Sequence, residues 1–86
     1  MENKTNDSAK ATNVATIFAE WTLDQLRLKD INGLEEKAVG YWNSDCLRLE
    51  EGLERVKQTT SYDNATELTN LAVGLMKIYE GVPYGK

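Results

Sequence analysis

Between Leu34 and Val56 the apolar residues return every three or four positions, and that period leaves few folds open. At about 100° per residue, Leu34, Ala38, Tyr41, Trp42, Asp45, Leu49, Gly52, Leu53 and Val56 share one broad arc. Glu36, Asn43, Glu50, Glu51, Glu54 and Arg55 point away from it. A half-buried strand needs strict alternation, so this stretch reads as a helix with one packing face. Upstream, Val14, Ile17, Phe18, Trp21, Leu28 and Ile31 recur at the same spacing, with Gln25 the one polar member. Leu23 and Leu26 fall off that stripe and hint at a second contact surface. The two stripes join if the helix underwinds toward about 3.5 residues per turn, a drift that a left-handed supercoil absorbs.

Asn32-Gly33 interrupts the pattern and has two readings. As a break, Asn32 caps a new helix, with Glu35 closing a capping box and Glu36 at the positive dipole end. As a tolerated interruption, the apolar phase runs through Leu28, Ile31, Leu34, Ala38 and Trp42. An interior glycine costs only about 1 kcal/mol against alanine. Continuity of phase favours one long helix with a weak point. A second interruption lies at 58–64, where Ser61, Asp63 and Asn64 are all competent caps and Asn64 pairs with Glu67 as a capping box. The helix that follows presents Ala65, Leu68, Leu71, Ala72, Leu75, Met76, Tyr79 and Val82. Gly81 suits the left-handed residue after a helix end, and Pro83 stops further winding. The fold class is therefore all-α: a long amphipathic helix, kinked or broken near Asn32-Gly33, with a shorter antiparallel C-terminal helix. Residues 1–12 are polar and small and read as a flexible leader, 13–82 as a single helical domain, and 83–86 as a tail.

The two arms do not match in length. A helix over 13–57 spans roughly 65 Å, against roughly 25 Å for the return arm. Val14, Ile17, Phe18, Trp21 and Leu28 would stay uncovered, a larger apolar patch than soluble monomers normally tolerate. A second copy of the chain covers it most simply, so a coiled-coil-like bundle formed by oligomerisation, a dimer or tetramer, is expected. An external apolar surface or a protein partner is the other way to cover it.

Composition narrows the function classes. The 86 residues hold 14 Asp and Glu, 10 Lys and Arg and no histidine, for a net charge of −4. Without histidine the Ser/His/Asp and Cys/His constellations are absent. There is no Gly-rich phosphate cradle, no zinc spacing and no nucleophile elbow, so an enzyme is not expected, nor a cofactor or metal. The Glu50, Glu51 and Glu54 run reads as a solvated face. Bases are interspersed among more numerous acids, without the positive stripe that nucleic acid requires. No stretch approaches the roughly 18 apolar residues of a membrane span. One cysteine and no export signal point to the cytoplasm.

Two residues on the arc are candidates for register or specificity. Asp45 is either a buried polar selector or an arc-edge carboxylate paired with Arg48 one turn on. Gly52 either permits a close helix crossing or is a small surface flaw. Trp21 and Trp42 read as packing residues before partner anchors, and Cys46 as a small apolar one. The candidate interface comprises Val14, Ile17, Phe18, Trp21, Leu28, Trp42, Leu49, Leu53, Val56, Leu68, Leu71 and Leu75.

The charged helix ending in RLEEGLERVKQ, the polar link TTSYDN and the helix ATELTNLAVGLMKIYEGV together resemble the phasins, which coat intracellular polyhydroxyalkanoate granules and tend to form helical oligomers. The resemblance spans about half the chain. It implies that the faces through Leu49, Leu53, Val56, Leu68, Leu71 and Leu75 adsorb or self-associate. The chain is short for that family and richer in Trp and Tyr. The expected function is thus a non-catalytic, self-associating helical scaffold on a hydrophobic granule surface. The alternative is a small acidic regulator or inhibitor, of phage or plasmid type, that binds a host protein.

Overall fold

The computed structural model describes residues 4–85, which form three helices: α1, Lys4–Arg27; α2, Glu36–Gln58; and α3, Tyr62–Ile78. The chain runs up, down and up, so α1 and α3 are parallel and α2 is antiparallel to both. The body measures 53 × 18 × 17 Å. The fold is all-helical, but the long continuous helix is not formed: the chain leaves the helix at Arg27 and re-enters at Glu36. Residues 4–12, expected as a leader, are helical. Residues 1–3 of that leader and Lys86 of the tail lie outside the described residues.

The break has local and tertiary causes. The amide of Leu28 is shared between the carbonyls of Asp24 and Gln25, both at 3.1 Å, and Lys29 N–H turns back to Leu26 O at 3.2 Å, which tightens the last turn. Asp30 then caps a 3-10 turn over Ile31–Gly33, its carboxylate accepting from Asn32 N–H at 3.1 Å. Asn32 is therefore not the cap of the next helix. Glu35 holds that place, without a side-chain capping bond. The deciding term is burial. Folding back sequesters Ala15, Ala19, Leu23 and Leu26, which a straight helix would leave in water. Each leucine so buried contributes about 1.5–3 kcal/mol, more than an intact Asn-Gly turn of helix offers.

Between α2 and α3 the cap is Ser61, whose Oγ accepts from Asn64 N–H at 3.0 Å. Asn64 instead donates its side-chain amide to Thr59 O at 3.1 Å. At the far end, Gly81 is not in the left-handed region; α3 closes with Val82 N–H on Tyr79 O at 3.0 Å. The segment expected as a tail is pinned beside the α1–α2 link, with Asp30 N–H on Pro83 O at 2.8 Å and Gly85 N–H on Leu28 O at 2.7 Å.

The core joins Ala15, Ala19, Leu23 and Leu26 of α1 to Cys46, Leu49, Leu53 and Val56 of α2 and to Ala65, Leu68, Ala72 and Leu75 of α3, with Tyr79 after it. A single chain thus closes its own core, and the long-arm, short-arm mismatch disappears. Among the described residues, no helix is long and apolar enough to cross a membrane.

Candidate binding face on the first helix

Helix α1 turns its small residues inward. Its most extensive contact is with α3, where Ala15 and Ala19 on one helix and Ala65 and Ala72 on the other are all buried. Short side chains let the two axes approach closely. That rotation leaves the larger residues on the opposite side: Val14, Ile17, Trp21 and Leu28 retain 65, 69, 47 and 57% of their surface exposed. Phe18 is half-buried at the edge of the core and stacks on Trp21, with ring centroids 6.0 Å apart and planes 17° from parallel. This stacking holds the indole against the helix and keeps the ridge firm. A shallow groove continues the surface toward α3, where Lys10, Ala11 and Val14 face Tyr62, Thr66 and Thr69. Val73, one turn beyond Thr69 on that side of α3, is also exposed.

The other candidate interface residues lie elsewhere. Leu49, Leu53, Val56, Leu68 and Leu75 are buried within the chain's own core and present no outward surface. Leu71 and Trp42 pack against that core half-exposed, and Trp42 Nε1 donates to Leu26 O at 2.9 Å, a second donor on a carbonyl that already accepts from Lys29 N–H. The expected stripe therefore splits: its α2 and α3 parts build the bundle, while Val14, Ile17, Trp21 and Leu28 remain on the outside.

Asp45 ties α2 to the end of α3. It accepts from the Tyr79 hydroxyl at 2.6 Å and from Arg48 at 3.2 Å. Burial, then the hydrogen bond to Asp45, pushes the Tyr79 phenol well above its ordinary value of 10.0. The Cys46 thiol is likewise raised above 9.0, first by burial; Arg27 opposes the rise, and Glu50 and Asp45 add to it. Such a thiol is held protonated and is a poor nucleophile. Gly52 marks a close approach: a Cβ there would stand 2.9 Å from Leu68 Cδ1, so the Leu68 side chain of α3 packs directly on the backbone of α2.

The sequence offered no signal for Lys29. Its side chain is buried, its ammonium donates to Val82 O at 2.9 Å, and it lies 4.0 Å from the centre of the Tyr84 ring. With the Asp30 and Gly85 bonds, it clasps the C-terminal segment to the end of α1. The remaining polar cleft, between α2 and α3, holds Arg48, Glu51, Arg55 and Glu67. Its charges balance, and Arg55 and Glu67 are 3.8 Å apart and largely in water. Among the described residues, no three His, Cys, Asp or Glu side chains are grouped to hold a metal ion.

No family model matches the chain, and no curated protein or solved structure is significantly similar to it.

Proposed function

We propose that this protein is a non-catalytic helical scaffold that self-associates through the outer face of α1. The observation behind this reading is the ridge of Val14, Ile17, Trp21 and Leu28 on a bundle whose core is already complete. Those side chains lie outside the core, and together they expose on the order of 400 Å² of apolar surface, within the range of patches that are often functional. Their i, i+3, i+7 and i+14 spacing is that of a helix laid against an apolar partner. Adsorption on a hydrophobic granule, which the phasin-like resemblance implies, would use this same face in place of the α2 and α3 faces. The acidic-regulator reading has no comparable support, because acids and bases are interspersed over the surface.

Sedimentation equilibrium tests the reading. The wild-type chain, 9.7 kDa as a monomer, is expected to run as a dimer or larger at tens of micromolar. An Ile17→Asp, Trp21→Ser variant is expected to run as a monomer with an unchanged helical circular dichroism spectrum. A wild-type monomer at roughly 100 μM would overturn the proposal, since specific association of this kind implies micromolar or tighter binding.

A further inference from the structure

The ridge on α1 is flanked by charges whose order specifies how two copies meet. Lys10, Ile17 and Asp24 are seven residues apart, so all three lie along one line of the helix surface. Ile17 is the midpoint and the most exposed of the large apolar residues on that line, and Lys10 and Asp24 are exposed as well. We infer that two copies pair through α1 in antiparallel orientation, about a two-fold axis passing beside Ile17. This deepens the self-association proposed above and rests on it.

A two-fold at Ile17 places Lys10 of each copy level with Asp24 of the other, giving two equivalent opposite-charge pairs at the ends of an apolar centre. That is the self-complementary pattern an isologous interface requires. Parallel pairing would set Lys10 against Lys10 and Asp24 against Asp24, and like charges face to face are disfavoured. Asp7 and Arg27 are also equidistant from Ile17. Arg27, however, is bound to Glu50 of its own chain, so the Lys10 and Asp24 pairs are the ones that set direction. Val14 and Trp21 flank Ile17 on the same face and supply the buried centre. Val14, Ile17 and Trp21 of the two copies together remove on the order of 600 Å² of apolar surface, Leu28 lying beyond the charged pairs, and the polar borders bring the total toward the roughly 1,200 Å² lower bound of a specific interface. The helices must cross at a shallow angle for both charged ends to engage, as in the roughly 20° packing class.

Charge reversal separates the orientations. Lys10→Glu alone and Asp24→Lys alone are each expected to weaken the dimer about tenfold in low salt, because each creates two repulsive pairs. The double variant is expected to return to within about twofold of wild type, and the single-variant effects to shrink in high salt. Cysteine cross-linking in a Cys46→Ala background gives a second readout. Ile17→Cys is expected to form a symmetric disulfide dimer. Lys10→Cys is not, since antiparallel pairing separates the two copies of residue 10 by roughly 21 Å along the axis. A Lys10→Cys disulfide dimer, or a double variant no tighter than the singles, would overturn the antiparallel arrangement while leaving self-association standing. A wild-type monomer would remove both.

Discussion

Along α1, the side facing α2 and α3 is lined by Ala15, Ala19, Thr22, Leu23 and Leu26, whereas the opposite side holds Val14, Ile17, Trp21 and Leu28. The inner side has less apolar bulk than the outer one, the reverse of what a helix that merely completes a core would show. What the inner side gains is proximity. Alanines at 15 and 19 allow the α1 and α3 axes to come close, and dense contact over a small area replaces the burial of large side chains. The outer side buries little in the fold as it stands, and the proposed self-association is what would cover it.

Substitutions of opposite sense on the inner side, set against one on the outer side, sharpen this contrast most. Ala19→Leu adds bulk where Ala19 has no exposed surface and is expected to destabilise by about 1–3 kcal/mol through overpacking. Leu26→Ala removes bulk from the same side and is expected to cost about 2–5 kcal/mol. Ile17→Ala, on the outside, is expected to change the stability of the monomer by no more than about 0.5 kcal/mol. Urea unfolding at concentrations below dimerisation measures all three. If Ile17→Ala cost as much as Leu26→Ala, the assignment of the two sides would be wrong.

The same contrast explains what the sequence made legible. The periods of α2 and α3 were clear because their large residues are the buried ones: Leu49, Leu53 and Val56, then Leu68 and Leu75. On α1 the large residues mark the outer side, so an arc drawn through Val14, Ile17 and Trp21 points away from the core. Leu23 and Leu26, which fell off that arc, were the trace of the inner side. The break after Arg27 was obscured because the outer stripe of α1 happens to continue in phase into α2. Phase argues for a continuous helix only when both stripes face the same core. Burial of Lys29 left no mark in the sequence, since the partners of its ammonium are a backbone carbonyl and a ring some fifty residues away.

At its C-terminal end the inner side is shut by a polar latch that has no counterpart on the outer face: the Tyr79 hydroxyl donates to Asp45. Tyr79→Phe is expected to cost about 1–2 kcal/mol at neutral pH. The phenol of Tyr79 and the thiol of Cys46 both titrate above their ordinary values of 10.0 and 9.0 in the folded chain. A raised acid favours the folded state fully while the pH stays below its unfolded value, and that stability is lost as the pH climbs from there toward the folded value. The melting temperature is therefore expected to hold level through neutral pH and to fall above about pH 9, less steeply in Tyr79→Phe and Cys46→Ala. An equally steep alkaline fall in Tyr79→Phe would show that the latch is open in solution.

The smallest effect expected on the inner side is a gain. Thr22 has no exposed surface, and its hydroxyl has no hydrogen-bond partner among the described residues. A buried hydroxyl left unpaired costs about 1–3 kcal/mol, and valine has nearly the same shape and helix propensity. Thr22→Val is thus expected to stabilise by about 1 kcal/mol, raising the melting temperature by roughly 4–8 °C for a chain of this size. The inner side of α1 would then be limited by its unpaired hydroxyls, of which Thr12 carries another, and not by its small residues. A loss of stability would mean that the hydroxyl bonds to the carbonyl one turn back, as helical threonines commonly do. In that case the close packing of α1 on α3 would depend on that bond as well as on Ala15 and Ala19.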